Sequence, residues 1–372
     1  MSEIRVNTLG NESNTGGPVL SGITTFSGQQ YFIPPTGTTA ERPSGCPPGS
    51  IRFNTDSAHL EYWNGLVWLE FEASSVELAG PSEGLGTRGF ILGGGTPSQS
   101  NTIDYHNLSA PGTFIDFGNL FSGRYGCTAT SSKVRAVIFG GYGSNNDTVD
   151  FITMASTGDS TDALNLSVNH KYAASWSNGT RGCVAGSYHP AQTNNISYVN
   201  IATLNVANDF GDLTVARGIM QAANSSVRGI IAGGFVGPST NTIDYVTTST
   251  TGNALDFGDM LTTVGQSAGA CCNATRAIWG GAYVNTLEFL TMASTGNAID
   301  FGDLLSTLGH RRGMSSPTRG MWGGGKSPVS PNPLSTEVDY VEIATTGNAL
   351  DFGDLTEARN AGAGTSNGHG GL

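Results

Sequence analysis

The sequence predicts an all-β fold: a six-bladed β-propeller with four-stranded blades, preceded by a small N-terminal β module and an extended arm. Composition gives two reasons. The 372-residue chain contains 54 Gly, and only 12% of its residues are charged, including three Lys. Because solvent-facing helices need many Lys and Glu side chains, a mainly helical protein is not expected. The third reason is a repeat of about 47 residues that runs from residue 87 towards the C-terminus.

Each repeat opens with an Arg, followed by a hydrophobic strand and a Gly-rich step. The six Arg landmarks are Arg88, Arg135, Arg181, Arg228, Arg276 and Arg319. An alternating strand with an acid and an aromatic comes next, and a turn then leads into Asp-Phe-Gly in five copies. A stretch of small residues closes each copy. Four short strands in about 47 residues are typical of a propeller blade, so six landmarks predict six blades.

The stretch of small residues is predicted to be the innermost strand of each blade, because inner strands converge on the axis and leave room only for small side chains. The first copy lacks such a strand before Gly89. The missing sequence stands near the end of the chain, at residues 358–367. We therefore predict that residues 358–367 complete the first blade beside residues 89–95, which removes two exposed sheet edges.

The part of the chain before the repeats divides into three segments. Residues 1–33 are polar and lack a helical period, which predicts an extended arm for attachment or oligomerisation. Residues 34–73 are predicted to be a small β-hairpin module, with strands at 51–56 and within 60–71 and a hairpin turn at Asn64-Gly65. Residues 74–86 are predicted to be a linker to the propeller at 87–372.

Three aromatic side chains of this module are predicted to serve oligomerisation or anchoring. Three strands in fewer than forty residues bury little surface by themselves. We therefore expect Trp63, Trp68 and Phe71 to find partners in another subunit or in the propeller. A homotrimer is the expected assembly.

Two resemblances follow from these motifs. The Gly-Gly step after a hydrophobic strand, with an aromatic on the third strand, resembles the kelch-type propeller family over residues 87–372. The sequence departs from the kelch pattern in having Asp-Phe-Gly where a fourth strand with Trp is usual. The resemblance therefore implies the propeller fold, and it implies no kelch partner.

The second resemblance concerns the N-terminal part. The stretches 2–9, 15–18 and 42–65, including Gly49-Ser-Ile-Arg-Phe-Asn-Thr-Asp56, resemble the N-terminal parts of tail-fibre and related virion proteins of cyanophages. The repeated Thr-Gly-Asn-Ala-x-Asp-Phe-Gly-Asp-Leu string resembles propeller repeats of marine phage structural proteins. These resemblances imply a virion protein that assembles in the host cytoplasm and contacts other virion proteins through its N-terminal part.

Charge and hydropathy narrow the range of partners. The formal net charge of −12 argues against nucleic acid and anionic membranes, since both recruit Lys and Arg. No segment contains the eighteen consecutive apolar residues that a membrane span requires. The first residues lack the apolar centre of a signal peptide, so export by that route is not expected.

No catalytic residue, cofactor or metal site is predicted. The six His are far apart in sequence, and neither a nucleophile elbow nor a phosphate loop occurs. Most polar residues recur in every repeat, so we expect Arg–Asp pairing between strands and packing of the Asp-Phe-Gly ring between blades. The same explanation is expected for a second basic set at the start of the inner strands. This set comprises Arg124, Lys171, Arg217, Arg312 and Arg359.

A binding face is predicted where the second strands connect to the third. These connections differ greatly among repeats, and variable loops on a rigid frame usually carry recognition. Four aromatics lie just past the Gly-rich step and suit sugar rings or a protein partner. The alternative is that these rings only cover the neighbouring blade. The predicted ligand-binding residues are Tyr142, Asn145, Asn146, Tyr188, His189, Phe235, Tyr283 and Lys326.

The function expected from the sequence is that of a non-enzymatic virion protein, a tail fibre or appendage. Its propeller would bind a host-surface glycan or protein, or a neighbouring virion protein. One alternative is a polysaccharide-degrading tail enzyme with its site on the variable face. Another is a capsid decoration protein without a receptor role.

Overall fold

The regular secondary structure of the described residues is almost entirely β-strand. The computed structural model describes residues 34–57, 59–70, 87–143, 147–263, 265 and 268–370, and these residues form seven four-stranded sheets. The chain divides into two units, Met1–Glu77 and Leu78–Leu372, with the boundary inside the predicted linker. The predicted arm, the linker, Phe71, Asn145 and Asn146 lie outside the described residues.

The first unit contains one sheet. Its strands are β1 (Thr36–Gly37), β2 (Ile51–Asn54), β3 (His59–Trp63) and β4 (Trp68–Glu70), with a 3-10 turn at Thr39–Glu41. Strands β2, β3 and β4 confirm the three predicted strands, and β1 adds a parallel partner to β2. The turn at Asn64-Gly65 is also confirmed. The Asn64 Oδ1 accepts hydrogen bonds from the N–H groups of Leu66 and Val67, both at 2.8 Å, and Gly65 takes a left-handed φ of 102°.

The interior of this unit is polar. Glu61 is fully buried and accepts a hydrogen bond from the Arg42 Nη2 at 2.7 Å, while the Arg52 Nη1 lies 3.4 Å from its other oxygen. Asn54, also buried, donates to the same carboxylate at 3.5 Å. Buried charges are tolerated when they are paired in this way. The unit therefore depends on an ion-pair centre, whereas several apolar side chains remain on its surface.

The second unit contains six antiparallel sheets, called sheets 1 to 6. Sheet 1 contains β5 (Arg88–Gly95), β6 (Gln99–Asn107), β7 (Ile115–Asn119) and, as its first strand, β28 (Ala363–Ser366). Sheet 2 contains β8 (Thr128–Ser131), β9 (Arg135–Phe139), β10 (Thr148–Thr153) and β11 (Thr161–Asn165). Sheet 3 contains β12 (Ala174–Ser177), β13 (Arg181–Ser187), β14 (Thr193–Asn200) and β15 (Ala207–Asp212).

The remaining three sheets repeat the same strand order. Sheet 4 contains β16 (Gln221–Asn224), β17 (Arg228–Ala232), β18 (Thr242–Thr247) and β19 (Leu255–Asp259). Sheet 5 contains β20 (Gly269–Cys272), β21 (Arg276–Gly280), β22 (Thr286–Thr291) and β23 (Ile299–Asp303). Sheet 6 contains β24 (Arg312–Ser315), β25 (Arg319–Gly323), β26 (Glu337–Glu342) and β27 (Leu350–Asp354).

The C-terminal strand completes sheet 1. Ala363 pairs with Leu92 and Ser366 with Gly89, which confirms the predicted pairing of residues 358–367 with residues 89–95. The first strands contact one another in the order β28, β8, β12, β16, β20 and β24, and β24 contacts β28 in turn. This arrangement is consistent with a β-propeller.

Small residues are required where the first strands approach one another. A Cβ on Gly313 of sheet 6 would collide with the carbonyl of Ala270 in sheet 5, and a Cβ on Gly364 would collide with the carbonyl of Gly313. The last residue of several first strands also donates a side-chain hydrogen bond to the same position in the preceding sheet. These bonds run from Ser131 to the Ser366 carbonyl, from Ser177 to that of Ser131, from Asn224 to that of Ser177 and from Ser366 to that of Ser315.

The hydrophobic core lies between neighbouring sheets. Each of six apolar clusters in the described residues contains side chains from two adjacent sheets. Phe117 of the first Asp-Phe-Gly packs with Ala136 and Ile138 of sheet 2, which confirms the predicted position of this ring. Its carbonyl also accepts a hydrogen bond from the N–H of Gly158 in sheet 2 at 2.8 Å. Core and backbone contacts therefore join the same pairs of sheets.

In sheets 2 to 6 no described Asp pairs with the Arg at the start of the second strand, so the predicted Arg–Asp pairing is wrong there. Arg319 pairs instead with Glu342 at 2.8 Å. Each guanidinium lies over the aromatic ring of the third strand in its own sheet, 4.4 to 5.4 Å from the ring centroid. Its Nη1 donates to backbone carbonyls of the next sheet. Arg228 of sheet 4, for example, donates to the carbonyls of Met292 and Ala293 in sheet 5, both at 2.9 Å. A planar cation suits this double role.

Three of the five members of the second basic set form buried ion pairs. Their partner is an Asp of the third strand, and not the Asp of Asp-Phe-Gly. The pairs are Arg124–Asp150 at 2.5 Å, Arg217–Asp244 at 3.2 Å and Arg359–Asp104 at 2.9 Å. In sheet 6 the prediction of Arg312 is wrong, because Arg311 pairs with Asp339 at 2.7 Å. Lys171 also departs from the prediction. Ser197 stands at the Asp position of this sheet, and the Lys171 ammonium faces the Tyr142 ring instead.

We predict that Arg228→Met lowers the free energy of unfolding by about 2 kcal/mol, since it removes two charge-assisted hydrogen bonds and a cation–π contact. Arg181→Met is the matched control, because Arg181 makes a single bond to the Thr248 carbonyl at 3.4 Å. Arg181→Met should lower the free energy of unfolding by about half as much as Arg228→Met does. Urea unfolding measures both values, and equal losses would contradict this role of the hydrogen bonds.

Deleting residues 358–372 should leave a chain that aggregates or does not fold. The deletion removes β28, which exposes the edge of β5 and opens the ring of contacts between β24 and β8. Light scattering and far-ultraviolet circular dichroism measure the outcome, with deletion of residues 371–372 as the control. A soluble, folded 1–357 chain would refute the structural role of this strand.

Candidate binding site

A collar of hydrogen bonds holds the residues just before the first strands. Five of these residues have a left-handed φ between 53° and 65°, namely Gly126, Tyr172, Ile219, His310 and Ala361. Ile219 donates its N–H to the Tyr172 carbonyl, Tyr172 to Gly126, Gly126 to Ala361 and Ala361 to His310, at 2.6 to 3.0 Å. The collar therefore links five sheets and fixes the backbones that carry the Tyr172 and His310 side chains.

A second regular feature places four of the predicted residues at equivalent positions. Just past the Gly-rich step, Tyr142, Tyr188, Phe235 and Lys326 each donate a backbone N–H to the segment before the first strand of their own sheet, at 2.7 to 2.9 Å. Sheet 5 has Ala282 at this position, and Tyr283 follows it with a left-handed φ of 64°. The Tyr283 ring lies against Gly309, where a Cβ would collide with it.

The structure brings five of the predicted residues into one aromatic cluster. The cluster consists of Tyr125, Tyr142, Tyr172, Tyr188, His189, Phe235, Tyr283 and His310. Tyr125 and Tyr142 stack with their ring centroids 5.2 Å apart and their planes at 7°. Tyr172 contacts Tyr142 at 5.7 Å, Tyr188 at 6.4 Å and His310 at 6.1 Å. Its central position connects rings from several sheets.

The rings of the cluster do cover neighbouring sheets, as the alternative interpretation expects. Tyr142 of sheet 2, for example, contacts His189 of sheet 3 at 5.5 Å. Tyr142, Tyr188, Phe235 and Tyr283 nevertheless all remain half-buried, so part of each ring faces solvent. Ligand binding by these residues and by Lys326 therefore stays a prediction, now with a defined geometry.

An open surface cavity of about 700 Å³ adjoins the aromatic cluster. Its walls are the connection between β5 and β6, at residues 95–99, together with Tyr125, Tyr172 and Asn360. The sequence analysis missed Tyr125 and Tyr172. Their signal is a Tyr just before the first strand. Tyr172 stands where sheet 4 has Ile219 and sheet 1 has Ala361, and Tyr125 stands one position earlier, where sheet 4 has Gly218 and sheet 1 has Asn360. The depth of this face comes from these two residues.

Two of the three Lys residues of the chain lie at this cluster. The Lys171 ammonium is 4.6 Å from the Tyr142 ring centroid. Burial, together with the charges of Arg312 and Lys326, lowers the pKa of His310 to about 4. Burial raises the pKa of Tyr142 and Tyr283, and that of Tyr172 to about 12. Near neutral pH the cluster therefore presents a neutral imidazole and neutral phenols beside two ammonium groups.

Two of the aromatic side chains predicted for oligomerisation pack against each other. Trp63 and Trp68 are directly paired across β3 and β4, with their centroids 5.7 Å apart, and the Arg52 guanidinium lies 5.9 Å from the Trp68 centroid. Both rings remain half-buried within their unit. Their role in oligomerisation or anchoring stays a prediction.

The described lining of the surface cavity is made of aromatic rings, hydroxyls, amides and backbone groups. No Asp or Glu is among its described lining residues, whereas glycoside hydrolysis usually needs a pair of carboxylates. Within the described ranges no group of three or more His, Cys, Asp and Glu side chains is arranged to hold a metal ion. Stacking surfaces, hydroxyls and amides are the groups that this face offers.

Comparison with known proteins adds no family to this description. The chain matches no protein-family model and no curated protein. None of the helical segments in the described residues is both long and apolar enough to cross a membrane.

Proposed function

We propose that the protein is a non-enzymatic structural protein of a phage virion, a tail fibre or appendage that binds a host-surface receptor or a neighbouring virion protein. The observation that carries the binding role is the aromatic cluster beside a cavity of about 700 Å³. The virion role is supported by the resemblance of residues 2–9, 15–18 and 42–65 to virion proteins of cyanophages.

The proposed architecture of the second unit is a six-bladed, kelch-like β-propeller. Its support is the cyclic order of contacts among the six first strands and the fact that sheet 6 meets sheet 1 as the other sheets meet their neighbours. Arg319 of sheet 6 donates to the carbonyls of Leu108 and Ser109 in sheet 1, which is the bond that Arg228 makes from sheet 4 to sheet 5. One interface type therefore recurs around the ring.

The proposed ligand is a sugar ring or a protein side chain with polar and apolar edges. Aromatic rings held by mutual packing provide stacking surfaces at little cost in side-chain entropy. Asn360, Gln99 and Ser98 supply hydrogen-bonding groups on the cavity wall. Lys171 and Lys326 add positive charge, which favours a ligand with acidic groups.

The first unit is proposed to anchor the protein to other virion proteins and to form a homotrimer. Its surface carries Leu66, which is 84% exposed, and the exposed side chains of Ile51 and Val67. Such side chains gain stability when a partner covers them. The location that follows is the virion, assembled in the host cytoplasm, without bound nucleic acid or membrane insertion.

Two other functions are distinguished by direct observations. Release of reducing ends from host-envelope polysaccharide by the purified protein would favour a tail enzyme. The absence of carboxylates from the described cavity wall argues against that function. Normal host binding by particles that lack the second unit would favour a capsid decoration protein.

Replacing both Tyr142 and Tyr188 with Ala should reduce adsorption of particles to host cells by at least about tenfold, because central aromatic anchors carry much of the binding energy of an interface. Circular dichroism and thermal unfolding establish that the variant is folded. Ile299→Ala is the control, since Ile299 is 55% exposed on the fourth strand of sheet 5 and outside the cluster. Adsorption equal to that of the unaltered protein would defeat the proposed role of the cluster.

Mass photometry should show one species of three times the 38.4 kDa chain mass. Leu66→Asp places a charge on the exposed apolar surface of the first unit and should shift the protein towards monomers. Val329→Asp changes an equally apolar residue, 69% exposed in the second unit, and should leave the trimer intact. A monomeric unaltered protein would overturn this assembly.

A further inference from the structure

Arg312 is a buried cation without a carboxylate partner. The side chain lies at the start of β24 and the residue is 3% exposed. Its Nε and Nη1 are buried and make no hydrogen bond to any described residue. Within the described part of the chain, no Asp or Glu lies within salt-bridge distance of it. The contrast with Arg311, Arg124, Arg217 and Arg359 is sharp, because each of these buried guanidinium groups has its own carboxylate.

Arg312 lines a small, partly open cavity between the first strands. The cavity has a volume of about 40 Å³, and since roughly 10–15 Å³ on this measure holds one water molecule, it has room for about three water-sized species. Other lining groups that can donate hydrogen bonds include Thr128, Thr130 and Gln221. No Asp or Glu is among the described lining residues. The cavity is therefore polar and carries one positive charge.

None of the neighbouring ionisable groups compensates that charge at neutral pH. Burial raises the pKa of the Cys127 and Cys272 thiols, which line the cavity, and so keeps them protonated. The Tyr172 phenol is close enough to feel the charge of Arg312, yet burial raises its pKa to about 12. His369 also lines the cavity, and burial lowers its pKa to about 4, so it adds no charge. A guanidinium itself remains protonated in proteins.

We propose that the cavity binds a monovalent inorganic anion of about the size of chloride against the Arg312 guanidinium. A buried charge is costly unless a counter-charge or hydrogen bonds satisfy it. An anion supplies both, because it accepts from the free N–H groups and neutralises the cation. The proposal stands apart from the proposed receptor binding, since it concerns the interior of the second unit and not the face with the aromatic cluster.

His369 lines one side of this cavity. Its Nε2 lies 3.3 Å from the carbonyl oxygen of Ser131 and 3.3 Å from the Ser177 hydroxyl, and its Nδ1 lies 3.3 Å from the Asn224 amide nitrogen. Three sheets are thereby joined to the residues that follow β28. A bound anion would therefore stabilise the assembled ring of first strands, and its effect should be visible in thermal unfolding.

The first test compares thermal unfolding of the full-length protein in sodium chloride and in sodium gluconate at equal ionic strength. Once chloride exceeds its dissociation constant, each tenfold increase should raise the Tm by roughly 3 °C, whereas gluconate should not. Arg312→Met should abolish the difference between the salts. Arg124→Met, which removes a buried Arg with a carboxylate partner, should lower the Tm but keep the chloride dependence. Equal Tm values in both salts for the unaltered protein, or a chloride dependence that survives Arg312→Met, would overturn the proposal.

The second test uses only the unaltered protein and so remains decisive if Arg312→Met does not fold. Crystals grown in sodium bromide should show an anomalous peak within hydrogen-bond distance of the Arg312 guanidinium, inside the cavity. Bromide is used because it resembles chloride in charge and size and scatters anomalously. Density for water alone at this position, without an anomalous signal, would refute the anion site.

Discussion

The close approach of the six first strands is the constraint on which the second unit depends. Their backbones come so near that a single Cβ on Gly313 or Gly364 would collide with a carbonyl of the neighbouring sheet. Side chains from the ends of these strands then donate to the preceding sheet, as Ser177 does to the Ser131 carbonyl. At the opposite end, the collar joins Gly126, Tyr172 and their counterparts through the backbone. Because the first strands of sheets 1 to 4 and 6 are fixed at both ends by neighbouring strands, these sheets have little freedom to shift independently.

Buried arginines show how the protein handles charge in such a narrow space. Arg124, Arg217 and Arg359 each hold a third-strand Asp of their own sheet, so the charge is neutralised where it is buried. The Arg residues of the second strands are partly exposed and donate to carbonyls of the next sheet. Arg319 also pairs with the carboxylate of Glu342. The two groups of Arg residues therefore have different roles. The buried Arg residues before the first strands stabilise their own sheet, and the Arg residues of the second strands join a sheet to its neighbour.

The features of the fold that follow from the repeat could be predicted from the sequence. The period, the small residues of the first strands and the missing strand before Gly89 together predict the pairing of β28 with β5. The partners of the Arg residues could not be predicted, because a period identifies equivalent positions but not which sheet a side chain reaches. Arg311 illustrates this limit, since it stands beside the predicted Arg312 in sequence and yet takes the ion-pair position in sheet 6. The strand β1 was missed because two residues are too short to show alternation.

The candidate site was predictable only where it follows the Gly-rich step. Tyr142, Tyr188 and Phe235 occupy the same position in three repeats, and that regularity is visible in the sequence. Tyr125 and Tyr172 contribute as much of the surface, but their convergence depends on the collar, whose left-handed backbone conformation leaves no periodic mark in the side chains. Glu61 of the first unit was missed for a related reason, because its two Arg partners come from separate segments.

The distribution of contacts along the strands explains how the face with the aromatic cluster can vary while the frame stays the same. The Arg bonds between sheets lie at the beginning of the second strands, whereas the variable connections leave from their end, just past the Gly-rich step. A connection can therefore be long, as between β25 and β26, or very short, as between β21 and β22, without removing an Arg contact or a residue of the first strands. The Arg contacts between sheets and the proposed recognition surface thus lie at opposite ends of the same strands. Tyr172 is the exception, because it is part of the collar through its backbone and part of the aromatic cluster through its ring, so a substitution there acts on both.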